Sequence, residues 1–110
     1  MGISIIPTSE FIRSLKLISK KHRSILSDIA QLSNQLKENP TKGTDLGLNI
    51  YKIRIGISGT NKGKSGGARV ITYYVDTDET VFLTEIYLKT ENETVDVARV
   101  IQRLKNEGLI

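Results

Sequence analysis

Basic residues occur with no acidic residue among them in residues 51–75, where two segments that alternate like β-strands flank a loop of glycine and lysine. In the first segment, residues 51–57, Lys52 and Arg54 alternate with apolar residues, so the two cations share one face of a predicted strand. In the second segment, residues 68–75, Arg69 comes near the start. If the two strands pair as a hairpin, the three cations gather on one surface. This pattern predicts a site for a phosphate group.

The loop between these strands, residues 58–67, carries the other candidate phosphate-binding residues, Lys62, Lys64, Gly66 and Gly67. Glycine lets backbone N–H groups approach a phosphate closely, and the two lysines add positive charge. A solvated hairpin connection without a function is the alternative interpretation. Long loops without regular structure in compact domains are, however, often functional. For Lys52, Arg54 and Arg69 the alternative is a solvated sheet face, but the sequence favours function, because no acidic residue lies between positions 45 and 76 to offset the repulsion among these cations.

Composition narrows the class of protein. The 110 residues suit one domain, residues 1–110, with one modest core. The absence of cysteine excludes disulfides and thiol catalysis, and a single histidine argues against a His-rich metal site. The net charge of +4 and the pI near 9.4 favour polyanionic partners. No apolar run approaches the roughly 20 residues of a membrane span and no leader peptide opens the chain, so we expect a cytoplasmic protein with no membrane partner.

The periodicity of the apolar residues predicts the elements that position the cations. A short strand ends at Pro7, and two amphipathic helices that form a hairpin follow it. Thr8 or Ser9 caps the first helix, and the second helix ends before Pro40. Residues 41–49 are predicted to be a loop because turn-forming residues dominate there. The apolar stripes of the two helices are Phe11, Leu15 and Ile18, then Ile25, Ile29, Leu32 and Leu36.

A further strand, residues 80–89, and a last helix complete the prediction. Thr94 is the predicted cap of that helix. The order β-α-α-β-β-β-α predicts an α+β domain, in which a small antiparallel sheet is packed by an N-terminal helical hairpin and joined by a C-terminal helix. On the strand, the alternation predicts that one face carries Val81, Leu83, Glu85, Tyr87 and Lys89.

Four stretches of the sequence carry a resemblance to a known family. They are Asn39-Pro40 at the end of the helical hairpin, Gly43 and Gly47 ahead of Tyr-Lys-Ile-Arg-Ile, Lys-Gly-Lys-Ser-Gly-Gly-Ala-Arg-Val-Ile over residues 62–71, and Phe-Leu-Thr-Glu-Ile-Tyr-Leu-Lys over residues 82–89. In these stretches the chain resembles the RelE/ParE superfamily of toxins from bacterial type II toxin–antitoxin systems, and within it the HigB-like branch. The resemblance follows nearly the whole chain in order and implies a RelE-like fold.

The resemblance implies an mRNA interferase that enters the ribosomal A site and cuts the exposed message. In such enzymes the ribose 2′-hydroxyl attacks the adjacent phosphate, expels the 5′-oxygen and leaves a 2′,3′-cyclic phosphate. This chemistry needs no metal or cofactor if cations neutralise the phosphorane and side chains move two protons. The resemblance also implies a cognate antitoxin, typically a helix-turn-helix protein, and a toxin–antitoxin complex that represses its own promoter by binding operator DNA.

The basic sheet residues of the family match Lys52, Arg54 and Arg69 of this chain. We assign Arg69 to stabilisation of transition-state charge, because arginine stays ionised and offers a bidentate fork to phosphate oxygens. Lys52 is the better candidate for proton transfer, since a lysine among like charges gives up its proton more readily than an arginine. Lys89 matches the basic end of the last strand of the family, and Tyr87 is assigned to stacking on a base or to shuttling a proton.

Two features of the sequence leave the acid and base open. Some relatives carry a histidine, a tyrosine or a Glu–His pair near the end of the active site, whereas Thr90, Glu91 and Asn92 follow Lys89 here. Glu85 is the carboxylate predicted on the sheet, and its role is unassigned. The alternatives to an RNA-cutting enzyme are a toxin that binds DNA gyrase, as the ParE branch does, and an inactive relative that only binds its antitoxin. The cations favour RNA, because an inhibitor of a protein machine needs no phosphate-centred site.

Overall fold

The computed structural model describes residues 2–58, 67–91 and 95–110. Within these residues, the chain forms a five-stranded sheet with helices on both faces. No helix in this described part of the chain is both long and apolar enough to cross a membrane. The strands are β1 (Ser4–Pro7), β2 (Thr44–Gly47), β3 (Ile50–Ile55), β4 (Ala68–Val75) and β5 (Thr80–Leu88), and the helices are α1 (Ser9–Lys21), α2 (Ile25–Glu38) and α3 (Val97–Asn106).

The sheet has the strand order β1-β5-β4-β3-β2, in which β1 runs parallel to β5 and every other pair is antiparallel. The α+β prediction is confirmed, but the sheet has one strand more than predicted. The prediction of a loop over residues 41–49 is wrong, because Thr44–Gly47 pairs with β3 as an edge strand. The two are joined by a two-residue turn at Leu48 and Asn49, whose φ angles of 55° and 65° suit the type I′ turn that matches the twist of a hairpin.

The helical hairpin of α1 and α2 covers one face of the sheet. The predicted stripes are confirmed, since Phe11, Ile18 and the four stripe residues of α2 are buried there. Removing this apolar surface from water is the main source of stability for such a domain. The hydroxyl of Thr8 caps α1 by accepting a hydrogen bond from the Phe11 backbone N–H at 3.3 Å. The buried residues of the sheet that pack against the two helices include Ile53, Ile55, Val70, Val81, Leu83 and Ile86.

Helix α3 packs on the opposite face of the sheet and forms a second, smaller core. Val100 and Leu104 of the helix are buried against Ile50 and Ile71 of the strands. The cap of this helix is Asp96, whose side chain accepts a hydrogen bond from the Arg99 backbone N–H at 3.3 Å. The prediction of a cap two residues earlier is therefore wrong, and that threonine lies outside the described residues.

Strand β5 contains a β-bulge that changes which residues face the helical hairpin. Ile71 pairs with Glu85 and Thr72 with Leu83, so Thr84 is an extra residue in the ladder. The predicted common face is therefore wrong for the first half of the strand: Val81 and Leu83 lie in the hairpin core, whereas Glu85 and Tyr87 lie on the α3 face. The Thr84 hydroxyl donates to the Ile71 carbonyl at 3.0 Å, which fixes the bulge.

Candidate functional site

Three of the predicted site residues form a row across adjacent strands. Arg54 of β3 pairs with Arg69 of β4, and Arg69 pairs with Tyr87 of β5. Residues directly opposite each other on neighbouring strands have Cβ atoms about 5 Å apart and point to the same face. The sheet register therefore places two arginines and a tyrosine from three separate segments of the chain side by side on one face.

Arg69 is the buried member of this row. It is 6% exposed, whereas Arg54 is exposed and Tyr87 is half-buried. The Nη1 atom of Arg69 donates a hydrogen bond to the backbone carbonyl of Ala68 at 3.2 Å. Because burying a guanidinium is costly unless hydrogen bonds hold it, Arg69 has a restricted orientation that a surface arginine lacks.

Lys52 lies two residues before Arg54 on β3, so the two side chains are neighbours on the same face. It is half-buried and pairs across the sheet with Ile71, which in turn pairs with Glu85 of β5. The row that contains Lys52 is therefore adjacent to the row of Arg54, Arg69 and Tyr87. Ile71 belongs to the core that α3 forms with the sheet, and Tyr87 packs against that core. Helix α3 therefore borders the candidate site on one side.

Glu85, whose role the sequence left open, binds helix α3. Its carboxylate forms an ion pair with Arg103 at 2.9 Å. Burial raises the pKa of Glu85, and the charges of Arg103 and Arg99 oppose that rise without cancelling it. The sequence gave no sign of this ion pair, because it joins a strand to a helix that follows later in the chain. Across residues 2–58, 67–91 and 95–110, no three acidic or histidine side chains are grouped as a metal site.

The far end of β5 brings Lys89 next to the exit of the glycine-lysine loop. The backbone N–H of Lys89 donates to the carbonyl of Gly67 at 3.0 Å, and the Lys89 side chain is half-buried. Lys89 follows the last residue of β5, two positions after Tyr87. The other loop residues of the predicted site, Lys62, Lys64 and Gly66, lie outside the described residues.

Helix α2 holds the start of the same loop by hydrogen bonds that the sequence did not predict. The carboxylate of Asp28 accepts hydrogen bonds from the Ser58 backbone N–H, at 3.0 Å, and from the Ser58 hydroxyl. Ser24 donates its hydroxyl to the Ser58 carbonyl at 2.5 Å. A signal was present in the sequence, because Asp28 lies on the buried stripe of α2 between Ile25 and Leu32, where an apolar residue is expected.

Gly43 lies against the backbone of β3 beside Lys52. Its φ is +107°, and a Cβ atom at this position would lie 2.5 Å from the Lys52 carbonyl oxygen and 2.8 Å from Cγ1 of Ile53. Only glycine allows this approach. An open cleft of about 250 Å³ lies beside this contact. It is lined by Gly43 and Lys52, together with Lys42 and Arg54. The cleft gives solvent access to two of the predicted cations.

Comparisons with known proteins support the fold. No family model and no curated protein matches this sequence. Among solved structures, the chain is similar to the Escherichia coli toxin RelE, in a free-state mutant with two arginines replaced by alanine. The alignment covers 94% of this chain and 99% of RelE, with a TM-score of 0.63 at 16% sequence identity. The chain therefore has a RelE-like fold, as the resemblance implied.

Proposed function

We propose that this chain is the toxin of a type II toxin–antitoxin system and that it cuts mRNA in the ribosomal A site. The observation that supports this most is the row of Arg54, Arg69 and Tyr87, with Lys52 beside it on the same face. Cations fixed by strands provide positive charge in a set orientation, which is what a phosphoryl transition state requires. The fold supports the toxin assignment, because a solved structure that it resembles is that of a toxin. Assignment to the HigB-like branch stays a prediction.

In the proposed reaction, the 2′-oxygen of a ribose forms a bond to the adjacent phosphorus as the bond from phosphorus to the 5′-oxygen breaks. The proton of the 2′-hydroxyl passes to a base, and a second proton is delivered to the departing 5′-oxygen. The products are a 2′,3′-cyclic phosphate and a free 5′-hydroxyl. Since protein side chains supply both proton transfers and the charge stabilisation, no metal or cofactor takes part.

Each residue of the row has a distinct role in this proposal. Arg69 binds the nonbridging phosphate oxygens, because its burial holds the guanidinium in one orientation and leaves little reorganisation for the transition state. Arg54, which is exposed, binds the phosphate as it enters. Lys52 transfers a proton, and Tyr87 stacks on a base or shuttles the other proton.

Lys89 and the loop residues extend the proposed site along the RNA backbone. Lys89 and Gly67 are joined by a backbone hydrogen bond, so a phosphate bound by the loop exit would also meet the Lys89 region. We propose that Lys62, Lys64, Gly66 and Gly67 bind phosphates that flank the scissile one. The proposed partners are the ribosome with its message, a helix-turn-helix antitoxin and, through the complex with that antitoxin, operator DNA. The proposed location is the cytoplasm.

The test is primer extension on a reporter mRNA after brief induction of the protein, with and without translation of that message. We expect cuts within translated codons that disappear when translation is blocked. Cuts that persist without translation would keep the nuclease and discard the ribosome. Growth arrest with an intact message would contradict RNA cleavage and favour a toxin that binds gyrase. If the protein causes neither cutting of the message nor growth arrest, the result would favour an inactive relative that binds only its antitoxin.

Variants of Arg69 test the assignment of the site. We expect Arg69→Ala to lower the cutting rate by at least about 100-fold, the cost of removing one preorganised charge-stabilising group. Arg69→Lys keeps the charge but loses the fork, and Arg13→Ala removes an exposed arginine on α1 as the matched control. Because Arg69 is buried, thermal unfolding and antitoxin binding are measured for each variant. A folded Arg69→Ala protein that remains fully toxic would contradict the site.

A further inference from the structure

A second cleft lies between α2 and the part of β3 that β2 leaves uncovered. Strand β2 pairs with β3 only as far as Lys52, so the edge of β3 beyond that residue borders this cleft. Its volume is about 120 Å³. Leu32 and Ile55 contribute buried apolar surface to its lining. Its polar lining includes Gln31 and Gln35 of α2, together with Lys42 and Arg54.

The two glutamines provide a pair of amides on one side of this cleft. Gln31 and Gln35 are one helical turn apart on α2, so their side chains lie on the same face, and both are exposed. Each amide offers a donor and an acceptor, which is the combination that recognises the edge of a base. Neither residue belongs to the buried stripe of α2, so neither is needed for the core.

Arg54 connects this cleft to the proposed site of cleavage. It lines the cleft and also pairs with Arg69 in the row of site residues. A phosphate held by Arg54 would therefore have its attached nucleoside at the mouth of the cleft. The volume of the cleft, about 120 Å³, is well below the roughly 300–1,000 Å³ of pockets that bind drug-sized ligands, so the cleft suits a ligand no larger than a single planar ring system.

We propose that this cleft binds one base of the RNA substrate and that Gln31 and Gln35 determine which base is accepted. The inference rests on the proposed function, since it assumes that the site cuts RNA. The ring packs on the apolar lining, the amides bind its polar edge, and Arg54 holds the adjoining phosphate. A good bidentate contact discriminates between bases by about tenfold or more.

The experiment maps 5′ ends across the transcriptome after induction of the wild-type protein, Gln31→Ala, Gln35→Ala and the double variant. The base frequency at each position around the cuts is compared between the proteins. We expect one position beside the scissile phosphate to lose its preference by about tenfold in the double variant. Gln102→Ala, which removes an exposed glutamine on α3, is the matched control and should leave the profile unchanged.

The outcomes separate this inference from the proposed function. A changed preference at one position supports base recognition in the cleft. An unchanged profile in a folded, active double variant overturns it, and so does a lower rate with the same base preferences, which would mean a contact to the backbone. If the wild-type protein leaves every message intact, the proposed function fails and the inference fails with it. Thermal unfolding of the variants identifies any loss that comes from misfolding.

Discussion

Substitution of Gly43 by alanine gives the sharpest test of how the site is built. Gly43 and Gly47 both have positive φ angles, +107° and +89°, and both lie in the segment around β2. A Cβ at Gly43 would meet the backbone of Lys52 at 2.5 Å, whereas a Cβ at Gly47 has no atom within 4 Å. Gly47→Ala is therefore a matched control that has the same kind of backbone strain without the steric conflict.

The expected magnitudes follow from these two terms. A side chain at positive φ costs about 1–2 kcal/mol, and this applies to both variants. At Gly43 the obstructing atom is a backbone carbonyl oxygen of a paired strand, which cannot rotate away, so overpacking adds about 1–3 kcal/mol. At about 4 °C per kcal/mol, Gly47→Ala should lower the Tm by about 4–8 °C and Gly43→Ala by about 8–20 °C.

Thermal unfolding followed by circular dichroism measures both changes, and the mRNA cutting assay measures a second consequence. Because Gly43 touches the Lys52 carbonyl, strain relieved by movement of β3 displaces Lys52, so Gly43→Ala should lose more activity than Gly47→Ala at a temperature where both are folded. Equal Tm values for the two variants would refute the reasoning, since the only term that separates them is the contact with the Lys52 backbone.

Two further predictions concern the turn and the ion pair. Leu48 is 70% exposed with a φ of 55°, so Leu48→Asn should raise the free energy of unfolding by about 1 kcal/mol in urea titrations, whereas Leu17→Asn, at an exposed leucine within α1, should not. Because burial raises the pKa of Glu85, its contribution to stability is complete below about pH 4.5 and is lost as the pH rises through the raised pKa. The stability of wild type relative to Glu85→Gln should therefore fall as the pH rises above about 4.5 and through the raised pKa, and a difference that is independent of pH would contradict the raised pKa.

Local patterns were enough to predict the elements that are periodic. The helical stripes and the alternation of Lys52 and Arg54 on β3 are confirmed, because a continuous period fixes which side chains share a face. The edge strand β2 was missed because its short, mostly exposed sequence lies among turn-forming residues and forms a strand only through pairing with β3. Its existence depends on tertiary contacts that no local pattern records.

The candidate site was predictable in residue type but not in environment. The sequence named Arg54, Arg69 and Tyr87, yet their common row depends on the registers of three strands, and the burial of Arg69 depends on the packing around it. The ion pair of Glu85 with Arg103 joins a strand to a helix that follows later in the chain. Contacts of this kind result from folding over long sequence separations, so one sequence gives no local sign of them.

The extra residue at Thr84 has a consequence for comparing relatives of this protein. Deleting that residue would restore unbroken alternation in β5 and would leave Ile86 on the side of the helical hairpin and Tyr87 on the side of α3, because every paired residue keeps its partner on β4. For a relative that lacks the bulge, an alignment without a one-residue gap between Leu83 and Glu85 therefore exchanges core positions for site positions on one side of the bulge, even where the residue types are matched.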